Sequence, residues 1–313
     1  MNQADYAGRD TRRYNRRIVR SKILSRSADT VIYAIVTFMC FLALAPFLYV
    51  ISMSLSAPEY VLARSVFFYP KGLHLGAYEM IVNTNMIWRS YANTIFYTVI
   101  STILNVATSM MGGYFMSKKG VWGKKFFIFF LLIPMFFGGG MIPWFVLVAK
   151  LGLYGSPFAI IILSSVSIWN VILCRTFIRT IPESIIDSAT IEGAGESALL
   201  TQIIVPLSKP IMAVTGLYTA VGRWNSWFTE LLILPDKSWQ PVQLFLARLL
   251  VLETAIMERE TGVDAAMTRT RGIATSLQMK YAAVIFCTIP ILVSYPILQK
   301  YFIKGVMLGS LKE

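Results

Sequence analysis

The chain has 313 residues, 56% of them hydrophobic and 14% charged, with a mean hydropathy of +0.62 and a formal net charge of +13. A soluble domain carries roughly a quarter charged residues, so this composition excludes an ordinary globular enzyme and points to lipid as the main solvent. The basic residues gather at the ends of apolar runs, which argues against nucleic acid as a partner, and a single histidine, His74, excludes His-based metal or catalytic clusters. Cys40, Cys174 and Cys287 each fall inside an apolar run and read as three buried small residues.

The chain opens with an Arg-rich arm over residues 1–29, expected to be cytoplasmic; a presequence fits less well, because no small-residue cleavage site follows it. A helix of about 20 mostly apolar residues crosses the hydrocarbon core of a bilayer. Six segments qualify, near residues 30–55, 91–116, 126–149, 153–174, 210–234 and 281–299. Eighteen Lys and Arg fall on the side that holds the arm, the loop with Lys118, Lys119, Lys124 and Lys125, the loop with Arg175, Arg179 and Lys209, and the C-terminal stretch with Lys300, Lys304 and Lys312 that includes a tail over 304–313. Ten lie opposite, six of them in the long loop over 235–280, the kind that translocates regardless of charge. The expected fold is therefore an all-α polytopic membrane protein with six transmembrane helices between residues 30 and 303 and both termini in the cytoplasm. Core helices of a large soluble protein would not combine six long apolar stretches with this loop asymmetry.

After the fourth segment the chain reads IPESIIDSATIEGAGESALLTQIIVPLSKP, from Ile181 to Pro210. The part from Pro182 to Pro206 reads as two short amphipathic helices joined near Gly193–Gly195, with Ile185, Ile186, Ala189, Leu199, Leu200 and Ile203 as an apolar surface. Pro182 suits a helix start, and Gly193 a tight bend with close backbone approach. Glu183, Asp187, Glu192 and Glu196 would be repelled by anionic head groups, so a protein docking site is expected here rather than a helix resting on lipid.

This spacing resembles the EAA loop of binding-protein-dependent ABC importers, at Asp187, Ser188, Ala189, Gly193, Ile203, Val205 and Pro206. Asp, Ser and Val stand where the motif has Glu, Ala and Leu, and Glu192 replaces the usual Asp before the glycine. PFLYVISMSLSAPE, YPKGLHLGAYEMI, GGGMIPWFVLVAKLGLYGS, VGRWNSWFTELLIL, PVQLFLAR and YFIKGVMLGSLKE extend the likeness along most of the chain. They resemble the second permease of the maltose-type carbohydrate importers, in the LplC-like branch. The resemblance implies a type I importer permease of MetI-like fold in the bacterial inner membrane that moves an oligosaccharide. It also implies a second homologous permease, a dimer of ATP-binding subunits and an extracytoplasmic solute-binding protein as partners. Asp187, Ser188, Ala189, Glu192, Gly193 and Ala194 would then couple to the ATPase, and the tail over 304–313 would reach the same interface. The loop over 235–280, helical at Val242–Met257, would meet the binding protein or pack on the bundle's own rim. No Gly-rich phosphate loop with a following Lys-Ser or Lys-Thr is present, so ATP and Mg belong to the partner and this chain holds no cofactor.

Within the fifth segment Arg223 and Glu230 share a face, with Trp227 between them and Trp224 and Asn225 on adjoining faces. Charges inside a membrane point into a polar cavity or at each other. Seven residues of continuous helix would hold the two about 10.5 Å apart along the axis, too far for a direct pair. The five residues read either as a translocation path or as a hydrogen-bond network with the partner permease. Arg223 tilts the first reading toward an acidic, uronate-type oligosaccharide such as alginate or pectin fragments. A secondary active transporter is the alternative, but it calls for inverted repeats and embedded coupling acids, of which Glu230 alone is available. A membrane enzyme would need His, Asp or Glu clustered at one membrane face.

Overall fold

The structure is a computed structural model that describes the backbone over residues 3–257 and 277–293, and side chains over 29–250 and 277–293. Among the described residues it is almost wholly helical, apart from a single antiparallel bridge between Ser56 and Leu73. Helix α1 runs from Gln3 to Leu55, so the basic arm continues into the first span without a break. Over most of its apolar part, Asp29–Leu55, no residue is buried by the other described residues. Its end is held, where Met53 is buried beside Val61 and Val66 and Tyr49 meets Tyr281 edge-on at 6.1 Å. Cys40 is exposed on this helix, against expectation, while Cys174 and Cys287 are buried. Among the described residues the contact at this level is Phe68 against Phe41, with ring centroids 6.1 Å apart, and Cys40 lies outside it.

The short helices α2 (Pro58–Leu62) and α3 (Gly76–Val82) lead to α4 (Asn85–Ser117), around which the bundle is organised. The side of α4 that is buried is its polar one: Ser90, Asn93, Thr94, Tyr97, Ser101, Asn105, Ser109 and Gly113, at helical spacing. Ile95, Val99, Ile103 and Met111 point outward. In lipid this inversion is favourable, since tails are as apolar as leucine and helices associate through small and polar residues instead. Gly112 and Gly113 let α4 approach α8 (Ile168–Ile178) until an added Cβ on Gly113 would lie 2.6 Å from Cys174 Cβ.

Three runs read as single helices are broken. The run over 126–149 divides into α5 (Lys124–Phe136) and α6 (Met141–Lys150), bent by 118°. Gly138, Gly139 and Gly140 lie at the bend, the first two with open space around them, and Gly140 takes φ +84°. Three consecutive glycines weaken a helix enough to end it. The run over 210–234 divides into α11 (Lys209–Trp224) and α12 (Phe228–Ile233). The fourth segment is α7 (Pro157–Ser164) followed by α8, and side chains of α4 bind the carbonyls freed at the break. Asn105 Nδ2 donates to Ser164 O at 3.0 Å and Thr108 Oγ1 to Ser165 O at 2.5 Å. The loop expected to form two short helices does so, as α9 (Glu183–Ile191) and α10 (Glu196–Leu207), the latter with a π-helical turn at Leu199–Ile204.

By length and apolarity, three described helices can cross a membrane: Asp29–Leu55, α4 and Pro157–Ile178. The bent pairs α5–α6 and α10–α11 qualify as two broken spans. Helix α13 covers Val242–Met257, the segment whose spacing predicted it. Helix α14 covers Leu277–Val293 at the start of the sixth segment. The remainder of that segment, residues 258–276 and the tail over 304–313 lie outside the described residues.

Candidate functional site

The break between α11 and α12 creates the first candidate site. Because the backbone turns at Asn225–Trp227, Glu230 folds back toward Arg223, and Arg223 Nη2 donates to Glu230 Oε1 at 2.9 Å. The expectation of two separated charges on one straight helix is thereby corrected. Arg223 Nη1 donates to Ser164 Oγ at 2.6 Å and Ser226 Oγ donates to Glu230 Oε2 at 2.8 Å. The Glu230 side chain is 2% exposed and that of Arg223 12%.

Arg223 forms part of the wall of a cavity of about 550 Å³ between α4, α6, α7, α8, α11 and α12. Asn105, Ser164, Ser167, Asn170, Thr219 and Thr229 supply amides and hydroxyls, and Trp144, Trp169 and Tyr218 supply aromatic surface. Arg223 is the only charged residue in this lining. Asn105 Oδ1 accepts from Asn170 Nδ2 at 2.7 Å and from Thr219 Oγ1 at 3.0 Å, tying α4, α8 and α11 together at the cavity.

Of the five residues singled out in the sequence, Arg223 alone is in the wall, with Glu230 behind it. Trp224 turns toward Tyr91, ring centroids 6.2 Å apart, and its Nε1 is buried without a partner. Asn225 Nδ2 donates to Val221 O at 2.9 Å, finishing its own helix. Trp227 packs edge-on against Phe228 at 5.6 Å. The sequence reading missed Asn105, Asn170, Thr219 and the three aromatics, which come together only in space. One signal was available: Ser101, Asn105 and Ser109 mark a polar stripe every fourth residue of an apolar helix.

The start of the loop over 235–280 is held down on α4. Asn93 Nδ2 donates to Ser238 O at 2.9 Å, Tyr97 Oη to Trp239 O at 2.9 Å, and Val242 N donates to Thr94 Oγ1 at 2.8 Å. This part of the loop therefore packs on the bundle's own rim.

The second candidate site is α9 with its connection to α10. Gly193 has φ +88°, Gly193 N donates to Thr190 O at 3.0 Å, and Ala194 N donates to Ala189 O at 2.9 Å. These are the paired bonds of a Schellman cap, which needs a left-handed residue after the helix and an apolar contact across it. Ala189 and Ala194 are that contact, both packed on the buried cluster of Met110, Cys174, Leu199 and Ile204. The four-residue interval between Ala189 and Gly193 thus follows from the cap.

The expected apolar docking surface is corrected. Ile186, Ala189, Leu200 and Ile203 pack inward on that cluster, and Leu199 is part of it, because the loop needs an apolar face to fold against α4 and α8. The face left outward carries Ile185, Asp187, Ser188, Ile191 and Glu192. Ile191, 86% exposed, was not singled out in the sequence. Its offset from Ile185 and Ser188 by three-residue steps was the available signal. Ion pairs brace the flank of the loop where Glu183 and Asp187 line one pocket, Lys119 with Glu183 at 2.5 Å and Lys118 with Glu196, to which Tyr114 Oη also donates at 2.9 Å. Lys118 and Tyr114 hold the Glu196 carboxyl below the usual carboxylate range.

A family profile described as "Binding-protein-dependent transport system inner membrane component" matches residues 105–307. The chain is 31% identical over 288 residues to the polygalacturonan/rhamnogalacturonan transport system permease protein YtcP of Bacillus subtilis (strain 168), covering 92% of this chain and 99% of that one. It is 33% identical over 271 residues to protein LplC of the same organism, covering 87% and 90%. Among solved structures it is similar to a bacterial ABC transporter involved in the import of the acidic polysaccharide alginate. That match has a TM-score of 0.79 and 30% identity, and covers 88% of this chain and 97% of that one.

Proposed function

The chain belongs to the binding-protein-dependent transport system inner membrane components, and from that premise we propose that its polar cavity is the path of an acidic oligosaccharide. It is a MetI-like permease subunit of an ABC importer in the bacterial inner membrane and not an enzyme. Membership of this family removes the secondary-transporter alternative, and it brings a partner permease, an ATPase and a solute-binding protein into the assembly.

The observation that carries the substrate reading is the lining: aromatic faces, hydroxyls and amides surround one guanidinium. Aromatic rings suit the apolar faces of sugars, placed polar groups suit their hydroxyls, and arginine pairs with carboxylates in a two-pronged geometry. The relatives named for polygalacturonan and rhamnogalacturonan, and for acidic alginate, support the same class. The assay is ATP-driven uptake of trigalacturonate and of galactotriose by the complete complex in proteoliposomes. Arg223→Ala is expected to depress trigalacturonate uptake at least tenfold more than galactotriose uptake. Equal loss of both would sink the acidic reading, and the ratio is insensitive to how much complex assembles.

In the same reading the exposed face of α9, with Ile185, Asp187, Ser188, Ile191 and Glu192, seats in the ATPase, which binds ATP and Mg. Ala189, Gly193 and Ala194 hold that face in shape rather than touch the partner. Closure of the ATPase dimer would move α9 and swing the bundle between inward- and outward-facing states. A homologous permease and lipid would cover the apolar sides of α1 and α5, and the solute-binding protein would approach the loop over 235–280. Gly193→Val forces a β-branched residue to φ +88°, a strain of about 1–2 kcal/mol. It is expected to release the cap and with it the co-purifying ATPase. Ile191→Asp is expected to lose the ATPase without lowering the melting temperature. Full retention of the ATPase by both variants refutes the docking role of α9.

A further inference from the structure

Arg223 faces the cavity, yet its charge is already matched from behind. Glu230 accepts from Nη2 on the protein side, is 2% exposed and is absent from the cavity lining. Its second oxygen is taken by Ser226, and Ser164 holds the other guanidinium nitrogen. A charge buried at 2% exposure costs free energy unless it is paired, and replacing such a pair with apolar residues is often no worse for the fold. Stability alone therefore gives no reason for the pair as a whole, although an acid at Glu230 offsets the burial of Arg223 once that arginine is present.

A transport site supplies one. Binding along a conduction path must be strong enough to admit the substrate and weak enough to let it go. An unpaired guanidinium in this low-dielectric wall would hold a carboxylate tightly; one that shares its charge with Glu230 holds it less so. We propose that Glu230 is a positioning and specificity-determining residue. It aims the Arg223 guanidinium at the cavity and attenuates its field, so that an anionic sugar binds and leaves while a neutral sugar is little affected. The inference rests on the reading of the cavity as the sugar path.

The test is steady-state uptake by the complete complex in proteoliposomes, with trigalacturonate and galactotriose as probes. Glu230→Gln keeps the shape and the acceptor oxygen and removes the charge. The expected result is a fall of about tenfold in the KM for trigalacturonate relative to that for galactotriose, with a lower relative kcat as release slows. A purely structural role for Glu230 moves both substrates alike, and that outcome, or an unchanged ratio, overturns the proposal. Should Glu230→Gln fail to assemble, Glu230→Asp retracts the carboxylate from the guanidinium and is expected to shift the ratio the same way, about twofold to threefold. Loss of assembly in both variants also overturns the proposal, because the pair is then a determinant of folding. A wild type that takes up only galactotriose refutes the acidic-substrate reading separately. Glu230→Gln then still decides this inference, since a gain of trigalacturonate uptake supports it and no gain overturns it.

Discussion

Arg223→Met is expected to destabilise the permease by about 3–5 kcal/mol, the cost of leaving one partner of a buried ion pair behind. Glu230 would keep only the Ser226 hydroxyl, and the Ser164 hydroxyl would lose the guanidinium it now binds. The Glu230 carboxylate is buried, so its loss is not repaired by solvent, whereas Ser164 lines the cavity and can turn its hydroxyl to water. The double variant Arg223→Met/Glu230→Met removes both charges and is expected to melt close to wild type, since a matched apolar pair replaces a matched ionic one. Thermal unfolding of the four variants of this cycle, in detergent and at one salt concentration, gives the coupling directly. Additive effects of the two single changes would show that the charges do not interact, and would remove the ion pair as the organiser of the break between α11 and α12.

Gly113→Val is expected to prevent the bundle from closing. A Cβ on Gly113 would stand 2.6 Å from Cys174 Cβ, 2.9 Å from Arg175 N and 3.0 Å from the Cys174 carbonyl carbon. Two of these are backbone atoms of α8, which cannot rotate aside, so the helices must separate. Overpacking ordinarily costs about 1–3 kcal/mol. Separation here also loosens the bonds from Asn105 and Thr108 to the break between α7 and α8, and the bond of Asn105 to Asn170. Loss of assembled complex in size-exclusion chromatography is the readout. Gly195→Ala is the control, because Gly195 has φ −73° and open space around it, and a change within about 0.5 kcal/mol is expected. If Gly113→Val assembled as well as Gly195→Ala, the close contact of α4 and α8 would not be a determinant of the fold.

The loop over 182–206 was legible because its signals are local. A proline to start, glycines to bend and a four-residue interval between Ala189 and Gly193 are sequence neighbours, and the Schellman cap turns that interval into geometry. Helix α13 was legible for the same reason. The three glycines at 138–140 were visible too, but the apolar runs on either side masked the bend they cause. Which apolar residues of the loop face inward was not legible, since α9 and α10 offer two apolar faces and only the presence of α4 and α8 selects one.

The break at Asn225–Trp227 had no proline or glycine to announce it. Across it lie the Arg223–Glu230 pair, the Ser226 contact and the Ser164 contact contributed by α7, the last of which only the folded bundle supplies. The cavity is similar: Asn105, Trp144, Asn170 and Thr219 come from four different helices. The sequence alone determined that this is a helical membrane protein with a glycine-bent loop over 182–206, because hydropathy and cap chemistry are properties of neighbouring residues; its importer-permease kind came from the resemblance of that loop to the EAA motif. The tertiary structure decided that Arg223 faces the cavity with Glu230 behind it, because a buried charge takes its meaning from whatever distant residues surround it.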